Sequence, residues 1–342
     1  MNQHADRGVS SRAGLRGCVA WSFAVAMVVA VLGLPAQASA VPGARIVAEH
    51  VQRGGEIDLT VRSVSMRTAM SVKVLPAKGF SPAPTLYLLN GAAGGEGGSS
   101  WFDRTDIRSY FADRHVNVVV PMGGAASYFT DWQREDPTLG VQKWSTFLTK
   151  ELPAAIDRRF NGNGRNAIAG ISMAGTSVFQ LSLHAPKLYQ AIGSFSGCAQ
   201  TSDALGQLVV RMVVEGRGGA NTLNMWGPPS DPAWRANDPY VHVEAFRGKS
   251  IYVSNGSGAP GRYDTLQGPG IDGNGTKLFD QIAVGAVIET ATAECTRNLQ
   301  RRMQAAGVPA TFHLYPGGTH AWPYWQDELH RAWPQFASAL GA

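Results

Sequence analysis

The 342-residue chain has no cluster of Lys and Arg of the kind that grips nucleic acid and no alternation of aromatic and basic residues. A phosphate-tracking or base-stacking groove is therefore not expected. Neither H-E-x-x-H nor C-x-x-C occurs, so no metal centre is expected. No Lys-Ser/Thr pair follows the one glycine-rich loop, Asn90 to Gly98, which argues against a nucleotide-phosphate cradle. No segment repeats, and nothing calls for an organic cofactor. Cysteine is scarce: there are three in all.

What is present begins with a leader. Arg7, Arg12 and Arg16 precede an apolar stretch from Val19 to Leu34, and Ala38-Ser39-Ala40 offers a small-residue exit. This reads as a cleavable secretory signal peptide over residues 1–40, the apolar stretch being short for a membrane span. Losing Arg7, Arg12, Arg16 and Asp6 takes the formal charge from +5 to +3, so the exported protein is only mildly basic. Cys18 leaves with the leader, and Cys198 and Cys295 remain in an oxidising compartment where they can form a single disulfide.

Residues 41–342 suffice for one α/β domain with a real core. Ile57 to Met66 and Met70 to Leu75 read as a leading antiparallel strand pair. Short apolar runs follow, Thr85 to Leu89 and Val116 to Val120, each ended by turn residues as buried parallel strands are. Trp144, Phe147, Leu148, Leu152, Ile156 and Phe160 fall on one helical face. Alternation of strand and helix predicts a mostly parallel, doubly wound sheet with helices on both faces. The Gly- and Pro-rich stretch from Cys198 to Gly248 is expected to roof a pocket.

The most informative segment is Ile168-Ala169-Gly170-Ile171-Ser172-Met173-Ala174-Gly175, placed between a strand and a helix. A serine on such a tight turn is lifted clear of the sheet, and the next backbone N–H, that of Met173, points where an oxyanion would form. The usual G-x-S-x-G pattern is broken at Ala174, and an ordinary helix N-cap is the competing reading of Ser172. Chain order supports the nucleophile. A base is needed on a loop after the last strand, and His320 follows the alternating Thr311 to Tyr315 and the turn Pro316-Gly317-Gly318-Thr319. His313 lies within that strand and reads as structural, while His184, His242 and His330 lack such a turn. Ten carboxylates lie between Ser172 and His320. The position after the preceding strand, Lys249 to Ser254, favours Asp264 as the acid; Glu289 and Glu294 lie on the long helical stretch from about Lys277 to Ala306. The residues alone leave this open. Ala92, in the glycine-rich loop, is the candidate for the second oxyanion N–H.

Several blocks in order resemble the antigen 85 mycolyltransferases, secreted α/β-hydrolases that move mycolic acids between trehalose and the cell envelope. They run from Tyr87-Leu88-Leu89 through Val120-Pro121-Met122-Gly123-Gly124, Thr130-Asp131-Trp132, Lys143 to Pro153, Gly170 to Gly175, Met225-Trp226-Gly227 and Ser230 to Trp234 to Gly318 to Trp325. The resemblance implies an α/β-hydrolase fold, carries the serine and histidine onto Ser172 and His320, and accounts for Ala174. It selects Glu289, in Val287-Ile288-Glu289-Thr290, over Asp264, with Glu294 as runner-up. It places the oxyanion donors at Met173 and Ala92. Asn90, Trp132 and Trp322 are expected to touch substrate. Departures fall at the acceptor end: where the family typically has Asp-Gly-Leu-Arg-Ala-Gln, this chain has Asn90-Gly91-Ala92-Ala93-Gly94-Gly95, without the Arg and Gln that serve sugar contacts. The family's usual strand cysteine aligns with Asn255.

The expectation is an exported serine acyltransferase, monomeric and free of metal and cofactor, moving mycolyl groups from trehalose monomycolate to a sugar hydroxyl of a second trehalose monomycolate or of cell-wall arabinan. A secreted carboxylesterase with the same triad is the alternative, and a non-catalytic glycan- or matrix-binding protein the third.

Overall fold

A computed structural model of the chain describes residues 43–342; the leader expected over residues 1–40 lies outside them. The strands are β1 (Arg45–Val51), β2 (Ile57–Arg62), β3 (Ala69–Leu75), β4 (Ala83–Leu89), β5 (Asn117–Pro121), β6 (Gly162–Ile171), β7 (Tyr189–Phe195), β8 (Ser250–Asn255) and β9 (Thr311–Leu314). The α-helices are α1 (Trp101–Arg104), α2 (Ile107–Phe111), α3 (Trp144–Thr146), α4 (Leu152–Phe160), α5 (Met173–His184), α6 (Ala204–Arg211), α7 (Thr222–Met225), α8 (Pro232–Ala236), α9 (Gly275–Ala305) and α10 (Trp322–Leu340).

Among the described residues the nine strands form one sheet in the order β1-β2-β3-β5-β4-β6-β7-β8-β9. Pairing is antiparallel from β1 to β5 and parallel from β5 onward. Every residue of β4 and β5 is buried, as strands covered on both faces require. Their side chains divide by parity. Tyr87, Leu89, Val119 and Ile168 join a core with Trp144, Leu152, Ile156 and Val178, under α3, α4 and α5. Leu86, Leu88, Val118, Val120 and Ala169 join a second core with Trp101, Phe111, Leu329 and Phe336, under α1, α2 and α10. This is the doubly wound sheet read from the alternation.

Two local features depart from that reading. The leading pair is preceded by β1, which is exposed along almost its whole length; an edge strand that buries so little carries no apolar alternation to reveal it. The helix from Trp144 to Phe160 widens to a π-turn at Phe147–Glu151, just before Pro153, whose missing N–H cannot continue the regular ladder. Buried Glu151, at the end of that turn, accepts from Ser63 Oγ at 2.5 Å and from Ser65 N at 2.8 Å, which pins the β2–β3 connection.

Cys198, just past β7, is bonded to Cys295 on α9, with their Cα atoms 5.0 Å apart and a sequence separation of 97. In the chain-entropy account a loop of this length stabilises the fold by about 4–5 kcal/mol, less any strain. Reduction, or the pair Cys198→Ser/Cys295→Ser, is therefore expected to lower the melting temperature by many degrees. Thiol titration of the unfolded, unreduced mature protein should detect no free cysteine; two reactive thiols would remove the crosslink from the account.

Candidate active site

The carboxyl ends of the parallel strands lie along one edge of the sheet, the edge at which ligands bind in open α/β folds, and the site is assembled there. Ser172 follows β6 directly and opens α5 with φ 54° and ψ −124°. Such a turn needs small neighbours. A Cβ on Gly170 would lie 2.8 Å from Ala174, and one on Gly175 would lie 2.8 Å from Gly197 Cα and from Ser194 Oγ. The close approach to the end of β7 falls at position 175 rather than 174, so alanine is tolerated where the common motif has its second glycine. Ser172 occupies the N-cap position of its helix but makes no side-chain cap bond to it; its Oγ instead lies 2.8 Å from His320 Nε2.

His320 Nδ1 lies 2.8 Å from Glu289 Oε2. An ionised carboxylate only accepts, so this contact places the imidazole proton on Nδ1 and leaves the Nε2 lone pair facing the Ser172 hydroxyl. Glu289 is fully buried. Its other oxygen, Oε1, accepts from Ser196 Oγ at 2.8 Å, Asn255 Nδ2 at 3.0 Å and Gly256 N at 2.6 Å. Such bonds offset the cost of taking a charge out of water. Trp325 completes the surround: its ring packs edge-on to His320 at 4.9 Å and its Nε1 donates to Ser196 Oγ at 2.9 Å.

The other candidates are elsewhere. Asp264 accepts from Thr319 and Tyr324 and makes no hydrogen bond to the His320 ring. Glu294 is on the outer side of α9, where hydrogen bonding from Arg297 holds its carboxyl below the usual range. His313 is paired with Glu328, His184 with Asn237, His242 with the Arg235 carbonyl and His330 with Asp106.

The glycine-rich loop lies against the serine: a Cβ on Gly91 would be 3.4 Å from Ser172 Cβ. Ala126 N donates to the Ala92 carbonyl at 3.1 Å, and Gly123 N to the Gly94 carbonyl at 2.7 Å, which fixes the loop. Among the described residues neither Ala92 N nor Met173 N donates to a protein acceptor.

A cavity of about 380 Å³ opens over Ser172 and His320. Val209, Met212 and Val213 line it from α6 and the π-turn Met212–Arg217, and Val287, Ile288 and Ala291 line it from α9. Arg217 and Trp322 also reach it. The Cys198 to Gly248 stretch thus contributes a wall, as expected. Of the three residues expected to touch substrate, Trp322 lines the cavity, whereas Asn90 and Trp132 lie in the core away from it. Asn90 is wholly buried, accepting from Trp101 N at 3.1 Å and donating to the Pro121 carbonyl at 3.2 Å; it ties β4 to β5 and α1. Trp132 is equally buried and donates to the Ser127 carbonyl at 3.0 Å. A polar or aromatic residue near a site-forming loop looks alike in sequence whether it faces ligand or core. The reading missed Ser196, whose sequence signal is its place directly after a parallel strand, and noted Asn255 only as the position aligned with the family's strand cysteine, not as a partner of Glu289.

Among the described residues no group of His, Cys, Asp and Glu could hold a metal ion, and no helix is long and apolar enough to cross a membrane.

Residues 63–336 match the esterase family. A diacylglycerol acyltransferase/mycolyltransferase, Ag85A, of Mycobacterium leprae is 31% identical over 352 residues, covering 98% of each chain. Ag85A of Mycobacterium tuberculosis is 31% identical over 298 residues, with 83% of this chain and 81% of that one covered. In structure, MPT51 of Mycobacterium tuberculosis superposes with a TM-score of 0.67 at 21% identity, over 86% of this chain and 99% of that one. An S-formylglutathione hydrolase from Agrobacterium tumefaciens gives 0.61 at 16%, over 86% and 99%. Both likenesses speak for the α/β-hydrolase fold. Sequence kinship and fold agree with the serine-centred geometry, and the chain belongs to the esterase family as an enzyme of the antigen 85 mycolyltransferase type, with serine esterase chemistry.

Proposed function

We propose that residues 41–342 act as one exported domain, freed of residues 1–40, that takes a mycolyl group from trehalose monomycolate and passes it to a sugar hydroxyl of a second trehalose monomycolate or of cell-wall arabinan. The observation that carries this reading is the unbroken relay of 2.8 Å contacts from Glu289 through His320 to Ser172, opening into an apolar-walled cavity. Glu289 orients the imidazole and stabilises its cation; His320 takes the Ser172 proton; Ser172 Oγ attacks the ester carbonyl, and the N–H groups of Ala92 and Met173 receive the negative charge on its oxygen. Collapse expels trehalose, which takes the proton from His320, and leaves a mycolyl-serine. The acceptor hydroxyl then gives its proton to His320 and attacks the acyl-enzyme, restoring Ser172.

Hydrolysis by the same triad is the second reading, favoured by the acceptor side of the loop. Ala93 stands where relatives of this type typically have the sugar-contacting arginine, and Gly95 where they have glutamine. Gly95 has φ 85°, and a Cβ there would fall 2.4 Å from Asn90 Nδ2 and 2.9 Å from Met122 Cε, so the loop in this conformation admits no side chain. Acceptor binding then rests on other groups, and the lifetime of the acyl-enzyme depends on excluding water.

Incubation of the purified protein with trehalose monomycolate separates the readings. Trehalose dimycolate is the expected product. Free mycolic acid alone would assign the protein to the hydrolases, and unchanged substrate would refute both.

A further inference from the structure

We propose that Asp264 is a positioning residue for His320, a second buried carboxylate that anchors the loop carrying the base while Glu289 holds its ring. The inference rests on the Ser172–His320–Glu289 reading and deepens it.

Asp264 occupies the place after β8 where a simple chain-order rule puts the acid, and it is buried at 8% exposure. It is directed at the side chain of Thr319, the residue before His320. Oδ1 accepts from Thr319 Oγ1 at 2.6 Å and from Gln281 Nε2 of α9 at 2.8 Å; Oδ2 accepts from Tyr324 OH of α10 at 2.7 Å and from Gly261 N at 2.7 Å. One carboxylate therefore joins four segments: the histidine loop, both flanking helices and its own connection. Tyr324 remains a neutral donor, because burial and then the bond to Asp264 push its pKa well above the usual phenol range.

Gly317 and Gly318, with φ of 75° and 90°, are held by hydrogen bonds from Ser257 N and Gly258 N to their carbonyls and from Gly317 N to Ser257 Oγ. Those bonds stop short of Thr319 and His320, and Asp264 adds the side-chain anchor nearest the base. Glu289 reaches only the ring. Thr319, fully buried and adjacent to His320, gives the loop a side-chain tether, and Asp264 is its acceptor. A displacement of about 1 Å at a reacting group can cost on the order of a hundredfold in rate, so a tether one residue from the base is well placed to govern turnover without touching substrate.

The test uses the mature protein and a short p-nitrophenyl ester. Thr319→Val removes the hydroxyl at nearly constant shape, Thr319→Ser keeps it, and Asp264→Asn removes the charge. Thr319→Val is expected to lower kcat about tenfold or more with KM within about twofold, and Thr319→Ser to stay near wild type; Asp264→Asn, if folded by circular dichroism, should follow Thr319→Val. Folded Thr319→Val with wild-type kcat, or equal losses in Thr319→Val and Thr319→Ser, would overturn the proposal, even if Asp264→Asn fails to fold. Ser172→Ala run alongside keeps the failures apart. If Ser172→Ala is inactive while Thr319→Val is fully active, only the role of Asp264 falls; if Ser172→Ala is active, the triad reading itself falls.

Discussion

Ser172→Ala is expected to lose about four to six orders of magnitude in turnover while keeping the wild-type fold and melting behaviour. The size follows from the loss of the atom proposed to form the acyl-enzyme, Ser172 Oγ, which lies 2.8 Å from His320 Nε2. With it gone, the imidazole and the N–H groups of Ala92 and Met173 are left with water as the nucleophile. The fold is spared because Ser172 contributes to its helix through its backbone and makes no side-chain cap bond. Turnover of a p-nitrophenyl ester, read beside a thermal melt, checks both halves. Near-wild-type activity would assign the nucleophile elsewhere.

Glu289→Gln carries the second large effect, a loss of about 10⁴ in kcat, the scale seen when a triad acid is made neutral. Glutamine has nearly the same shape, but its amide can present an N–H to His320 Nδ1. The imidazole proton then moves to Nε2, the atom that must accept from Ser172. If its oxygen faces His320 instead, the amide nitrogen meets Ser196 Oγ, Asn255 Nδ2 and Gly256 N, donors that now grip Oε1 at 2.6–3.0 Å. Either orientation is unfavourable. Glu294→Gln, on the outer side of α9 among Arg297 and Arg301, should leave kcat unchanged, which makes it the control. A Glu289→Gln enzyme as active as Glu294→Gln would show that the acid lies elsewhere.

The serine and the histidine were legible because their positions are dictated by backbone geometry that leaves a mark in sequence: small residues at Gly170 and Gly175 around the elbow, and a glycine turn after an alternating strand before His320. The acid was not legible from the residues. A carboxylate on a helix face looks like any solvated one, and Glu289 differs from Glu294 only in which side of α9 faces the sheet, something known once β7 and β8 bring Ser196 and Asn255 beside it. Position after β8 pointed to Asp264, which the structure uses against Thr319. Family resemblance selected Glu289 where local pattern could not. The inner strands β4 and β5 were plain in the sequence because burial on both faces demands continuous apolar runs, whereas β1 buries too little to leave a pattern. Asn90 and Trp132 misled for the converse reason: burial of a polar or aromatic side chain is decided by tertiary neighbours such as Trp101, Pro121 and Ser127.

Helix α9 carries Glu289 on its inner side and Val287, Ile288 and Ala291 on the side that walls the cavity, and Cys295 locks it to the end of β7. On the proposed function, residues that would contact the acyl chain and the proposed acid are neighbours on one element, so a change of chain-length preference made there is expected to cost activity. Val209, Met212 and Val213 line the cavity from a segment that carries none of the three proposed catalytic residues. If the proposed reaction holds, changes of substrate range are expected to be tolerated better at Val209, Met212 and Val213 than at Val287, Ile288 and Ala291.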